Sequence, residues 1–389
     1  MATIGSDAWL GAGSNDAEQT RVTEFVARIN WPALLHKASQ GNNGVSCKLS
    51  EKYSHGINNL VRKLEFADGT QWVARLPLPE LPDAHEVVNP EHRLQVDIAT
   101  MKYIRKHTSI PVPEVFAYDL SPDNEGGAPY ILMSYIHGTS AMELSQARGY
   151  DLQKDEKFWQ GVADIQMQLA SLHFDKIGCI YQDSSSDSFT IGPDVVTGLG
   201  PWDDAETFWS DLAQHYLQNG MAAGTAAAGQ DDDDDEEGDE AEPFQLPPQF
   251  ANFPALIQMF SKERPFRLTN RDFGIHNLLV NDAFEIVGLI DLDGVMAAPV
   301  EMVAQMPRFS GLDLPLPGFG DEGEAEDAEE GNEEAIGMYI ARLQDAVSRI
   351  GGAELGELVE SFTSTEAGIV QGLYRFHQAA TGSALYQPE

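Results

Sequence analysis

The sequence predicts an α+β chain in which an antiparallel sheet forms an N-terminal lobe and a mainly helical C-terminal lobe follows. Three observations carry that expectation. Residues 46–76 alternate apolar and polar positions around turn signals at "SHGIN" and at Asp68-Gly69. From residue 140 onward the apolar spacing is mostly helical, with a return to short apolar runs near 278–291. At 389 residues the chain is also long for one compact core, so two lobes with a cleft between them are expected, and ligands favour such clefts.

In chain order, residues 16–38 place Val22, Phe25, Val26 and Ile29 at helical spacing, with a break near Pro32, and make 1–45 a helical extension. Strands at about 46–54, 59–67 and 71–76 form a meander. A helix at about 91–107 is ended by "TSIPVPEV", whose prolines deny it continuation. "APYILMSYIHG" is then an apolar strand closed by glycine, completing an N-lobe over 46–137. The C-lobe, 138–389, begins with a helical segment at 155–175, which has Phe158, Val162, Ile165 and Leu169 on one face. Residues 203–218 are a second amphipathic candidate. "NLLV" and "FEIVGLID", flanking Asn281-Asp282-Ala283, read as a β-hairpin.

Charge is distributed unevenly. The chain has 62 acids and 24 Lys and Arg, a net charge of −38, and half of that excess lies in two tracts, "DDDDDEEGDEAE" (231–242) and "DEGEAEDAEEGNEE" (321–334). Such density repels itself and buries little apolar area, so both tracts are expected to be disordered, within acidic insertions at 221–242 and 321–334. The acidity argues against a nucleic-acid or anionic-membrane surface, while a basic protein is a conceivable partner for the tracts. No run of 18 apolar residues occurs, and "MATIGSDAWLG" has no basic segment leading into an apolar one, so a soluble, cytoplasmic protein is expected. Cys47 and Cys179 stand alone, without metal or disulfide spacing, which suits a reducing compartment.

The chemistry concentrates in "TNRDFGIHNLLV" and "GLIDLDG". A hairpin between them makes Asn277 and Asp291 neighbours at its outer end, with Asp272 on the entering loop. Three oxygen-bearing side chains at one mouth suit Mg²⁺, which prefers hard oxygen ligands. Asp293 either assists the metal or braces the loop, and His276 has no evident transfer role. A G-x-x-x-x-G-K-[ST] loop and a G-x-S-x-G elbow are absent. The one G-x-G-x-x-G string, from Gly318 to Gly323, follows "LPLP" rather than a strand and opens an acidic run that would repel a pyrophosphate.

Arg75 in "WVARLP", Asp97 in the next helix, the strand "YILMSYI", then D-x-x-x-x-N and D-x-D-G follow one another in the order of a kinase-like phosphotransferase. The chain resembles the aminoglycoside phosphotransferase/choline kinase group of the protein-kinase-like fold, and within it the fungal "phosphotransferase enzyme family" branch. The resemblance runs from about Ser46 to Pro307 and is most specific in "FADGTQWVARLP", "TSIPVPEV", "LHFDKIGCIY", "NRDFGIHNLLVNDAFEIVGLIDLDG" and "AAPVE". It implies a bilobal fold and transfer of the γ-phosphoryl group of ATP, with Mg²⁺, to a hydroxyl of a small molecule. By this likeness Asp272 matches the catalytic aspartate, Asn277 and Asp291 the metal ligands, and Arg75 the phosphate-contacting base supported by Asp97. The backbone of Ser134, Tyr135 and Ile136 matches the hinge that receives adenine, and Gly56 and Asn59 the turn covering the phosphates. Three positions depart from the usual pattern: Asn270 replaces a histidine, Arg75 a lysine and Asp97 a glutamate. Those departures and the acidic tracts favour a first rival reading, a nucleotide-binding pseudokinase or scaffold; a second rival is a kinase-fold enzyme that transfers the nucleotidyl group or modifies protein.

Overall fold

A computed structural model describes residues 16–56, 58–79, 90–183, 187–227, 258, 260, 265–292, 294–312 and 326–381. These divide into two compact units. The first comprises Met1–Phe158, Ile180–Thr190 and Ile275–Gly294; the second comprises Trp159–Cys179, Ile191–Gly274 and Val295–Glu389. The α+β class stands, with an antiparallel sheet in the N-terminal region and helices dominating the C-terminal one.

The first unit opens with helices α1 (Asp16–Arg28) and α2 (Trp31–Gly41). The expected break is the start of α2, where Asn30 accepts the Ala33 N–H at 3.3 Å and Pro32 occupies the first turn, a place where a missing N–H costs nothing. Strands β1 (Cys47–His55), β2 (Asn59–Phe66) and β3 (Gln71–Pro77) follow. Asp68 accepts the Thr70 N–H at 2.9 Å and Gly69 takes a φ of +87°, so the Asp-Gly dipeptide makes the β2–β3 turn for the reason glycine is used there. Helix α3 (Pro90–His107) leads to β4 (Val115–Asp119) and β5 (Tyr130–Ser134), and the antiparallel sheet runs β1-β2-β3-β5-β4. Strand β4 is an addition to the expected meander. The prolines at 111 and 113 that stop α3 precede it, and as an edge strand it pairs only with β5.

Register sorts the two faces of this sheet. Leu60 and Leu64 lie opposite Leu76 and Trp72, and all four join Val22, Phe25, Ile29, Leu34 and Ala38 in one core, so α1 and α2 cover that face. Val61 opposite Arg75 and Lys63 opposite Val73 lie on the other face. The unit then continues through β6 (Thr139–Ser140) and α4 (Ala141–Arg148).

Helix α5 (Glu156–Ala170) buries Phe158, Val162, Ile165 and Leu169, the stripe expected from sequence. After it come β7 (His173–Phe174), β8 (Cys179–Gln182), β9 (Phe189–Gly192) and helix α6 (Ala205–Ala227). Strand β10 (Phe266–Asn270) is followed by β11 (Leu278–Val280) and β12 (Ile286–Leu289), which form the expected hairpin and with β6 a three-stranded sheet in the first unit. In the second unit β10 lies between β7 and β13 (Val295–Ala298). The helices Val300–Val303, Glu326–Ile350, Ala353–Ser361 and Thr365–Thr381 complete it.

The acidic tracts need a correction where they are described. Residues 221–227 are the end of α6, and 326–334 open the helix Glu326–Ile350 rather than a disordered insertion. Glutamate and alanine are good helix formers. Residues 228–242 and 321–325, and the G-x-G-x-x-G string, lie outside the described residues. Among the described residues no helix is long and apolar enough to cross a membrane.

Candidate active site

In the first unit the structure brings Arg75, Asp97 and Asp291 together. The Arg75 side chain is 7% exposed on the sheet face opposite α1 and α2. Its Nη1 donates to Asp97 Oδ2 and its Nη2 to Asp291 Oδ1 at 2.6 Å. The second oxygen of Asp97 accepts the Leu292 N–H at 3.1 Å, so one buried carboxylate ties both β3 and the segment carrying Asp291 to α3. Burial pushes the Asp97 carboxyl above its ordinary pKa. Arg75 pulls the other way, but it is shared with Asp291, whose own negative charge adds to the rise. Asp291 is partly exposed and holds a φ of +59°, a left-handed conformation that side chains other than glycine adopt at a cost and that recurs at functional sites.

Asn277 reaches the same end of the hairpin as Asp291, as the Ile290 N–H donates to the Asn277 carbonyl at 3.0 Å beside the Leu278–Leu289 pair. It is buried, at 4% exposure. Asn277 and Asp291 thus stand near each other at the outer end of the hairpin. Asp293 lies outside the described residues. Among the described residues no group of three or more His, Cys, Asp or Glu forms a protein-only metal cage.

The expected hinge is continuous with β5. Ser134 donates its N–H to the Glu114 carbonyl at 2.8 Å and Tyr135 donates to the Gln71 carbonyl at 3.2 Å, so two of the three backbone donors assigned to adenine are engaged with their own sheet. The Ile136 side chain lies over Gly288, where an added Cβ would stand 2.9 Å from it. Gly56 and Asn59 close the β1–β2 turn, the Gly56 N–H donating to the Asn59 carbonyl at 3.0 Å.

Asp272 belongs to the second unit, on the turn that leaves β10. Its N–H donates to the side-chain oxygen of Asn270 at 3.0 Å and its carbonyl accepts the Gly274 N–H at 3.0 Å. Asn270, the departure from histidine, therefore acts locally as an Asx-turn residue that shapes this loop. The intervening Arg271 turns inward. Its guanidinium meets the Asp194 carboxylate in a two-pronged pair, Nη1 to Oδ2 at 3.1 Å and Nη2 to Oδ1 at 2.6 Å, both side chains nearly fully buried. Burial alone would raise the Asp194 carboxyl, but Arg271 and the remaining donors hold it below its ordinary value. His276 is exposed.

Sequence reasoning singled out neither Arg271 nor Asp194. Arg271 is hidden inside the "NRDF" string as a neighbour of the acid that draws attention, and Asp194 in "IGPDVV" reads as a turn residue.

A profile described as the phosphotransferase enzyme family matches residues 51–302 of this chain. A subtelomeric hrmA-associated cluster protein of Aspergillus fumigatus is similar, 32% identical over 163 residues, covering 38% of this chain and 29% of that protein. So is the altered inheritance of mitochondria protein 9, mitochondrial, of Clavispora lusitaniae, 24% identical over 228 residues, covering 49% of this chain and 36% of that protein. The chain thus spans roughly a third of the length of these relatives. A solved structure of macrolide 2'-phosphotransferase MphH from Brachybacterium faecium aligns over 92% of this chain and 98% of its own, at 14% identity and a TM-score of 0.41.

Proposed function

This chain belongs to the phosphotransferase enzyme family, and from that premise we propose that it moves the γ-phosphoryl group of ATP to a hydroxyl of a small molecule with the help of Mg²⁺. The observation that carries the reading is the buried Arg75, held at one nitrogen by Asp97 and offering the other at the partly exposed Asp291. A guanidinium fixed at one side and directed at an exchangeable carboxylate suits bidentate contact with phosphate oxygens. In this reading Arg75 steadies the α- and β-phosphates while Asp97 keeps it oriented. The Ile136 N–H serves adenine, because those of Ser134 and Tyr135 already have acceptors.

The donor set fits a hard cation. Mg²⁺ takes oxygen ligands, retains waters and completes its shell with substrate phosphates, so Asn277 and Asp291 suffice as the protein's share. When bound, the ion supplies neutralisation of the phosphate charge. Asp272 orients the acceptor hydroxyl and accepts its proton at the carboxylate. Such transfers depend on positioning and electrostatics more than on covalent chemistry, which this residue set can provide.

The test is a screen of metabolite pools with γ-labelled ATP for a phosphorylated product, followed by Asp272→Asn. That substitution is expected to lower transfer by roughly 10²–10⁴-fold while ATP affinity stays within a few-fold, since the group faces the acceptor rather than the nucleotide. Turnover that survives intact removes Asp272 as the base. The absence of any labelled product, with ATP binding unaffected by Mg²⁺, overturns the transferase reading in favour of a nucleotide-binding scaffold.

A further inference from the structure

Resting on the proposed role of Asp272, we infer that Arg271 and Asp194 are positioning residues: a buried, two-pronged ion pair that holds the turn presenting Asp272 in its productive conformation. The geometry of the pair is unusually complete. Each oxygen of Asp194 accepts three donors. Oδ1 takes Arg271 Nη2 at 2.6 Å, the Val196 N–H at 3.3 Å and the Cys179 thiol at 3.7 Å. Oδ2 takes Arg271 Nη1 at 3.1 Å, and the N–H and hydroxyl of Thr197 at 3.2 and 2.9 Å.

The anchor behind this carboxylate is closed on itself. The Asp194 N–H donates to the Leu199 carbonyl and the Gly198 N–H to the Asp194 carbonyl, each at 2.8 Å. Cys179 is the fully buried neighbour, its thiol kept protonated and able to donate because burial pushes its pKa well up, while its sulfur accepts the Val195 N–H at 3.4 Å. Gly178 lets this segment approach. Its φ is +143°, and an added Cβ would lie 2.1 Å from the Gly192 carbonyl oxygen, so only glycine allows the two backbones to meet two residues before Asp194.

A buried ion pair adds little net stability compared with well-packed apolar side chains, because desolvation cancels most of the attraction. What it does impose is direction. The planar fork of arginine against a carboxylate with no spare acceptor capacity admits one orientation of the Arg271 side chain. With Arg271 so fixed, the Asp272 N–H bonded to Asn270 and the Asp272 carbonyl accepting the Gly274 N–H, the backbone on both sides of Asp272 is constrained before substrate arrives. Displacements of about 1 Å at a reacting group cost on the order of 10²-fold in rate, so a clamp on this turn acts on the rate of transfer rather than on nucleotide binding.

The experiment compares the full-length wild type, the double variant Arg271→Met/Asp194→Leu and the conservative Arg271→Lys. Three readouts are taken: melting temperature, amide hydrogen exchange of residues 270–274, and release of labelled phosphate from γ-labelled Mg-ATP to water or to an acceptor found by screening. The double variant removes both charges at similar volume, so it is expected to fold with a melting temperature within several degrees of wild type. Exchange at Asp272 and Gly274 should rise at least about tenfold, with other amides of the second unit unchanged. The kcat should fall about 10–100-fold with the KM for Mg-ATP within twofold. Arg271→Lys keeps the charge but not the fork, and should fall between the two; it also serves as the deciding variant if the double one does not fold. Unchanged loop exchange and kcat in a folded variant overturn the clamp, and so does a loss confined to KM. If the wild type transfers no phosphate at all, the phosphotransfer reading fails, and the clamp is then judged by exchange alone, where protection equal to wild type in the folded variant overturns it.

Discussion

Among the described residues, the buried pairs Arg75–Asp97 and Arg271–Asp194 are built to opposite specifications. In the second unit Arg271 gives both terminal nitrogens to one carboxylate, Asp194, which three further residues saturate. In the first unit Arg75 divides its nitrogens between the buried Asp97 and the partly exposed Asp291, and Asp97 gains one backbone N–H besides. Both aspartates are deeply buried, yet burial wins at Asp97 and raises its carboxyl, whereas the donors win at Asp194 and lower it. The difference teaches what each pair can be used for. A saturated pair has no capacity left for a ligand and serves as a fixture. A shared pair has one prong on a partly exposed carboxylate, the prong that the proposed reading gives to phosphate.

Breaking the pairs should separate them most strongly. Asp194→Ala removes the carboxylate that takes both prongs of a buried guanidinium and is expected to cost about 3–5 kcal/mol of folding stability. Asp97→Ala leaves Arg75 its contact with Asp291 and is expected to cost less, about 1–3 kcal/mol. Urea unfolding of the two variants beside wild type measures both. Equal losses would show that Asp291 gives Arg75 no support and that the division into closed and open pairs is wrong.

Ligand should discriminate next. ATP with Mg²⁺ at 100 times its dissociation constant is expected to stabilise the wild type by about 2.7 kcal/mol, and ATP with a chelator much less. Asp291→Ala should erase the metal-dependent part, because the neutral Asn277 cannot replace a charged ligand. Arg75→Ala should weaken ATP binding with or without metal, since the proposed reading gives it a phosphate partner. The Arg271→Met/Asp194→Leu variant should keep the full ligand shift. Thermal melts of these proteins with and without Mg²⁺ decide it, and a loss of the ligand shift in the double variant would mean that the closed pair also serves binding.

The two pairs also differed in how visible they were from sequence. Alternation and the Asp68-Gly69 turn delivered β1 to β3, and two apolar runs around a polar triplet delivered the β11–β12 hairpin, because both depend on local patterning. The grouping of Arg75 with Asp97 and Asp291 could be read only through family resemblance, since periodicity does not say which acid faces a strand arginine. Nothing local marked Asp194, which lies 77 residues before its partner. Strands β7, β10 and β13 escaped because two to five residues cannot display a period, and their pairing joins segments far apart in sequence. The helix beginning at Glu326 escaped for a different reason: repulsion within a dense run of acids does not reveal the helix propensity of its glutamates and alanines.

The smallest expected effect has the most distinctive form, because the pairs should respond to pH with opposite sign. A carboxyl lowered by folding contributes stability that is fully present above its unfolded pKa, near 4, and is lost as pH falls through the folded value. A carboxyl raised by folding does the reverse: its contribution is present below about 4 and declines as pH rises through the folded value. Asparagine does not titrate, so the stability of wild type minus that of Asp194→Asn should be level from neutral pH to about 4 and shrink below it. The same difference for Asp97→Asn should be largest in acid and shrink as pH rises past about 4. Urea unfolding from pH 3 to 7 on the three proteins yields both curves. Parallel curves would mean that saturation of the carboxylate does not set the balance between desolvation and pairing, and the contrast between a fixture and an exchangeable pair would lose its electrostatic basis.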